Sequence, residues 1–149
     1  WQQKRISEVV IKNMFGNLHS KRIAVLGFAF KANTNDIRES PSINISRNLL
    51  VEGAELAFYD PKVEQNDITK ELNKIENDGK IIICDSPLIA AKGSDAVVIL
   101  TEWEEFKNLD WQSIYSDMRK PAWVFDSRKC IDKNYLKNLG FNVWTVGNS

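Results

Sequence analysis

The chain has 149 residues, 43% of them hydrophobic and 27% charged, and its 20 basic and 20 acidic side chains cancel without a long run of either sign. That size suits one domain with one buried core, while the charge balance disfavours nucleic acid and anionic membranes as partners. Two cysteines make no disulfide framework, a single histidine assembles no metal site, and no apolar run reaches membrane length, so a soluble cytoplasmic chain is expected.

Gln2 to Phe15 reads as the end of a helix whose beginning is absent: Ile6, Val9, Val10 and Met14 share one face and Gly16 stops it. With Trp1 in first place the chain looks like an excised domain, and the exposed part of that stripe is expected to meet a partner. Ile23 to Leu26 is a continuous apolar run, too short for a helix, that suits a strand buried on both faces of a parallel sheet; Gly27 ends it. Ser40 followed by Pro41 reads as an N-cap and first helical residue, and Ile43, Ser46, Leu49 and Leu50 share a face before Gly53 closes that helix.

Further strands are expected near 55–59, 80–84, 95–100, 122–126 and 141–146, after the first near 22–27. Helices fall between them. Ile68, Leu72 and Ile75 mark one, Pro87 to Gly93 a shorter one, and Trp111, Ile114, Tyr115 and Met118 another. This alternation predicts a three-layer, Rossmann-like α/β fold: a doubly wound, parallel six-stranded sheet with right-handed crossovers and, by analogy, strand order 3-2-1-4-5-6.

Ligands of open α/β sheets bind outside the carboxyl ends of the strands, so Phe30, Lys31, Thr34, Asp36 and Arg38 lie where a nucleotide would sit. Lys31 and Arg38 fit phosphate; they equally fit solvated loop charges, with Asp36 and Glu39 complementing a helix dipole. Only Gly27 is present where a phosphate-cradling glycine fingerprint needs two or three, so side chains must supply the positive charge. Cys84 and Cys130 read as small buried apolar residues, although Arg128 and Lys129 could lower the pKa of Cys130. Trp111, Trp123 and Trp144 read as core. Glu102, Glu104 and Glu105 stand just before or within a first helical turn, where carboxylates favour the dipole.

The pattern Gly27-x-x-Phe30-Lys31-x-x-Thr34-x-Asp36-x-Arg38-x-Ser40-Pro41 resembles the opening of the C-terminal, UDP-binding domain of the UDP-glucose/GDP-mannose dehydrogenase family, the nucleotide-sugar 6-dehydrogenases. Tyr59-Asp60-Pro61, Ala96-Val97-Val98, Thr101-Glu102-Trp103 and Phe125-Asp126-x-Arg128 follow in the family's order, and the last two resemble members acting on UDP-glucose. The resemblance implies that Phe30, Lys31 and Arg128 contact the UDP-sugar and that Arg38 reaches toward NAD held by the other half of the enzyme. It implies that Asp36, Ser40 and Glu102 order or cap the loop, and that Trp103 packs.

Family members oxidise an alcohol to an acid in two NAD-dependent steps through a catalytic cysteine in a Gly-Gly-x-Cys context, which is missing here. The resemblance thus makes residues 1–18 the end of a central linker helix and 19–149 the nucleotide-sugar-binding domain. It implies no catalytic residue, no activity alone, an N-terminal NAD-binding half as partner and a homodimer in the complete enzyme. UDP-N-acetyl-sugar and GDP-mannose dehydrogenases share the lysine loop. A receiver-type module would need clustered acids after the first strand, and a self-sufficient dinucleotide-binding protein would need more glycines, although Asp60 stands where a ribose-binding acid would.

Overall fold

The computed structural model of the chain describes residues 2–14, 16–29, 31–38, 40–73 and 79–147, with side chains from Arg5 onward. Six parallel strands, β1 (Arg22–Leu26), β2 (Glu55–Tyr59), β3 (Lys80–Ile83), β4 (Ala96–Ile99), β5 (Trp123–Asp126) and β6 (Asn142–Thr145), lie in the order β3-β2-β1-β4-β5-β6. The helices are α1 (Gln2–Asn13), α2 (Pro41–Val51), α3 (Gln65–Leu72), α4 (Pro87–Ala91), α5 (Glu104–Lys107), α6 (Trp111–Asp117) and α7 (Lys133–Leu139). The α1, α2 and α3 helices pack as one group, and α4, α6 and α7 as another. The strand order reverses direction between β1 and β4, which accounts for those two layers.

The central strands explain the apolar runs. Ile23 to Leu26 and Ala96 to Ile99 are wholly buried because helices cover both faces of the sheet. Ser40 caps α2, its hydroxyl accepting from the Ser42 N–H at 3.2 Å, with Pro41 at the first helical position. The buried stripe of α2 is wider than its periodicity suggests. Ser42 and Ile45 join Ser46, Leu49 and Leu50 while Ile43 is half-buried, since α1 and the sheet both cover this helix.

On α1, Ile6, Val10 and Met14 are buried and Val9 half-buried against α2, so the described stripe is covered within the chain. A hydrogen bond of 3.2 Å from Asn48 Nδ2 to Ser7 Oγ joins the two helices. Phe15 and Ile75 lie outside the described residues. Trp111 is core, its Nε1–H donating to Phe106 O at 3.2 Å, and Trp123 stacks on Phe125 with ring centres 5.2 Å apart.

Strand register brings the functional loops to one edge. Leu26 pairs with Tyr59 on one side and Ile99 on the other, and Ile99 pairs with Asp126, so the chain leaves β1, β2, β4 and β5 at one level. Gly27 is required at that level. Its φ is +97°, and a Cβ there would stand 2.5 Å from the Thr101 side chain.

Candidate nucleotide-sugar site

The loop after β1 carries Lys31, and the loops after β2 and β4 hold its backbone. Asp60, directly after β2, accepts with Oδ2 from the N–H groups of Phe28 (2.7 Å) and Ala29 (3.1 Å) and from Trp103 Nε1 (3.2 Å). Its Oδ1 accepts from the N–H groups of Lys62 and Val63 at 2.8 and 2.9 Å. One short carboxylate therefore fixes two loops and an indole. From the loop after β4, the Thr101 hydroxyl donates to Ala29 O at 3.0 Å, and Glu102 Oε1 accepts the Ala32 N–H at 2.9 Å. Each residue of the Thr101-Glu102-Trp103 triplet thus fastens the lysine loop, directly or through Asp60.

The loop after β5 is built on Asp126, which is fully buried. Its oxygens accept from the backbone N–H groups of Arg128, Cys130 and Ile131 at 3.0, 2.7 and 3.0 Å. Arg128 is aimed at Glu102: its Nε–H donates to Oε2 at 2.6 Å and Nη2 stands 2.5 Å from the same oxygen. Burial raises the Glu102 pKa, but the Ala32 N–H and the Arg128 guanidinium outweigh it and hold the carboxyl below its ordinary value. Glu102 thereby bridges the β1 and β5 loops across the β1/β4 boundary, where the strand order reverses. That is the switch point at which such sheets bind ligands.

The expected site residues divide as follows. Lys31 is exposed and makes no ion pair among the described residues. Glu102 brings its loop and Arg128 together. Arg38 is exposed in the same loop and forks onto Asp36, with Nε–Oδ1 3.1 Å and Nη2–Oδ2 3.0 Å. Those bonds, with the Arg38 N–H, hold the Asp36 carboxyl below its ordinary value. Phe30 and Glu39 lie outside the described residues. Sequence reasoning set Asp60 where a ribose-binding acid would stand and gave Asp126 no role; the signal for both is a short carboxylate immediately ending or following a buried strand.

Neither thiol is poised for chemistry. Cys130 is buried beside Asp126, and burial first, then that carboxylate, push its pKa up to about 11. The reading that neighbouring cations could activate it fails, because Arg128 is turned to Glu102. Burial likewise raises the Cys84 pKa. From an ordinary 9.0 to about 11 the Cys130 thiolate population at pH 8 falls about a hundredfold, so its alkylation by iodoacetamide should be at least that much slower in the folded chain than in 6 M guanidinium. Equal rates would overturn this. Among the described residues no group of three or more His, Cys, Asp or Glu is placed to hold a metal, and no helix is long and apolar enough to cross a membrane.

Among the cavities of the described residues, a small one of about 310 Å³ lies beside the β5 loop and the end of β6, and two larger ones flank this edge and its opposite. One of about 540 Å³, beyond β2 and β3, is lined by Asp60, Glu64 and Asp85 with a single cation, Lys62, so acids outnumber bases there, which disfavours a diphosphate. The other, of about 600 Å³, lies at the amino ends of the strands among Lys21, Arg22, Lys80, Lys92 and Arg119. There Arg22 donates to Glu55 and to the α4 carbonyls of Ile89 and Ala90, and Arg119 bonds Ser20 O and Asp95, so these arginines complement a helix C-terminus and nearby acids.

Residues 24–133 match the model of the UDP-glucose/GDP-mannose dehydrogenase family, UDP binding domain. The chain belongs to that family. Its relatives include UDP-glucose 6-dehydrogenase of Drosophila melanogaster, 44% identical over 99% of the chain and 32% of the relative, and that of Caenorhabditis elegans, 38% identical over 100% of the chain and 32% of the relative. Among solved structures, UDP-D-ManNAc dehydrogenase from Pyrococcus horikoshii is similar with a TM-score of 0.72 and 27% identity, over 97% of the chain and 30% of that protein. The chain spans about a third of the curated relatives it matches, and corresponds to their C-terminal part. As the family's UDP-binding domain it carries the lysine loop and Arg128 on one edge of the sheet. The carboxylate of Asp60, which would have to meet a ribose, is already committed to five N–H donors.

Proposed function

We propose that this chain is the UDP-sugar-binding part of an NAD-dependent UDP-glucose 6-dehydrogenase, which oxidises UDP-glucose to UDP-glucuronate. The observation that carries this reading is the Glu102 bridge, which sets Arg128 beside the loop bearing an exposed Lys31 that has no ion pair among the described residues, at the switch point. Lys31 supplies a mobile point charge suited to phosphate, and Arg128 a fixed fork suited to sugar oxygens. Phe30 is assigned to the same ligand on family resemblance. Arg38, exposed at the rim, is the residue suited to meet the NAD pyrophosphate across a domain boundary. NAD, held by the other half, would accept the hydride; the residues here bind and orient the sugar nucleotide. Residues 1–18 would end the central helix joining the halves, 19–149 would form this domain, and two copies of the complete enzyme would pair. The work would be done in the cytoplasm.

A titration followed by backbone amide shifts tests the reading. UDP-glucose should move the resonances of Lys31, Ala32 and Arg128, with GDP-mannose and NAD giving smaller changes. Shifts at Asp60 and Gly27 with NAD alone would instead favour an independent dinucleotide-binding domain. Lys31→Ala in the complete enzyme should weaken UDP-glucose binding by about 1.5–3 kcal/mol, the worth of a hydrogen bond to a charged group. Unchanged affinity would remove Lys31 from the site.

A further inference from the structure

We propose that Glu102 is a positioning residue that locks the Lys31 loop and Arg128 into a single sugar-nucleotide-binding unit across the switch point of the sheet. The inference rests on the function proposed above. The N–H that Glu102 Oε1 accepts belongs to the Lys31–Ala32 peptide, so this bond fixes the backbone from which the Lys31 side chain projects. The other oxygen accepts from the Arg128 Nε–H at 2.6 Å and pairs with Nη2 at 2.5 Å. The guanidinium has no other partner among the described residues. Arg128 is therefore presented to a ligand with its torsions already restrained, which lowers the entropy lost on binding.

The charges support the same role. Glu102 with Arg128 is neutral, so a carboxylate is tolerated beside the place assigned to a diphosphate. Removal of Arg128 alone would leave that carboxylate unpaired and repelling the ligand. The partners are 70 and 26 residues from Glu102 in sequence, so the tie is tertiary. Thr101 and Trp103 on either side fasten the same loop by separate bonds, which allows Glu102 to be changed without losing the fold.

The test is a double-variant cycle in the complete dehydrogenase, reading the UDP-glucose Kd, the NAD Kd and the thermal midpoint. Glu102→Ala alone should raise the UDP-glucose Kd about tenfold, a coupling typical of neighbours that share partners, while the NAD Kd changes less than about twofold. In an Arg128→Ala background the same substitution should cost nothing or restore part of the lost affinity, because it removes the orphaned charge. Glu102→Gln keeps an acceptor for the Ala32 N–H and should fall between wild type and Glu102→Ala. Equal losses in both backgrounds would overturn the coupling and leave Glu102 a loop anchor only. Failure of the unsubstituted enzyme to bind UDP-glucose would sink the functional reading and this inference together, whereas binding without coupling sinks the inference alone.

Discussion

Asp60→Ala should lower the folding stability of the chain by about 3–5 kcal/mol, a large loss for one side chain, and the thermal midpoint by roughly 10 °C. The basis is five donors on one carboxylate: the N–H groups of Phe28, Ala29, Lys62 and Val63 and the Trp103 indole. Phe28, Ala29, Val63 and Trp103 are buried, so water cannot easily take the place of the lost acceptor. Asp60→Asn keeps one acceptor oxygen but turns an amide NH₂ toward donors, and should recover only part of the loss. Urea unfolding of the three proteins measures this directly. A loss under 1 kcal/mol for Asp60→Ala would mean that the loops find other partners and that the Asp60 clasp is dispensable.

The framework was legible because short-range rules govern it. Apolar runs such as Ile23 to Leu26 mark strands covered on both faces, Ser40-Pro41 marks a helix start, and all six strands fall within two residues of their expected limits. The site was legible in part. A lysine and an arginine in a loop after a first buried strand point to an anion, and resemblance added Arg128 from the far side of the sheet. What local sequence could not disclose is how those pieces are tied. Asp60 meets Phe28 across 32 residues and Trp103 across 43, and Glu102 reaches both Ala32 and Arg128. Each tie depends on strand register, which no local pattern reveals. Cys130 misleads for the same reason: its sequence neighbours are cations, but the group facing it in space is the Asp126 carboxylate.

Arg128→Ala in the complete enzyme should lower kcat/KM for UDP-glucose by about a hundred- to a thousandfold, or about 3–4 kcal/mol, while moving the thermal midpoint by less than about 3 °C. The asymmetry follows from exposure. The Arg128 and Glu102 side chains are 27% and 36% exposed, so a Glu102 left alone can turn to water, and a half-exposed ion pair contributes no more than about 1 kcal/mol to folding. The loop itself is held by Asp126, whose bonds go to backbone N–H groups that the substitution keeps. Binding suffers far more than folding, because the guanidinium edge turned away from Glu102 has no partner among the described residues and a buried sugar oxygen would lose its donor. Steady-state kinetics beside a thermal scan separates the two roles. Normal turnover with a midpoint drop near 10 °C would make Arg128 a structural tie between loops and leave the ligand contacts to Lys31 and Phe30.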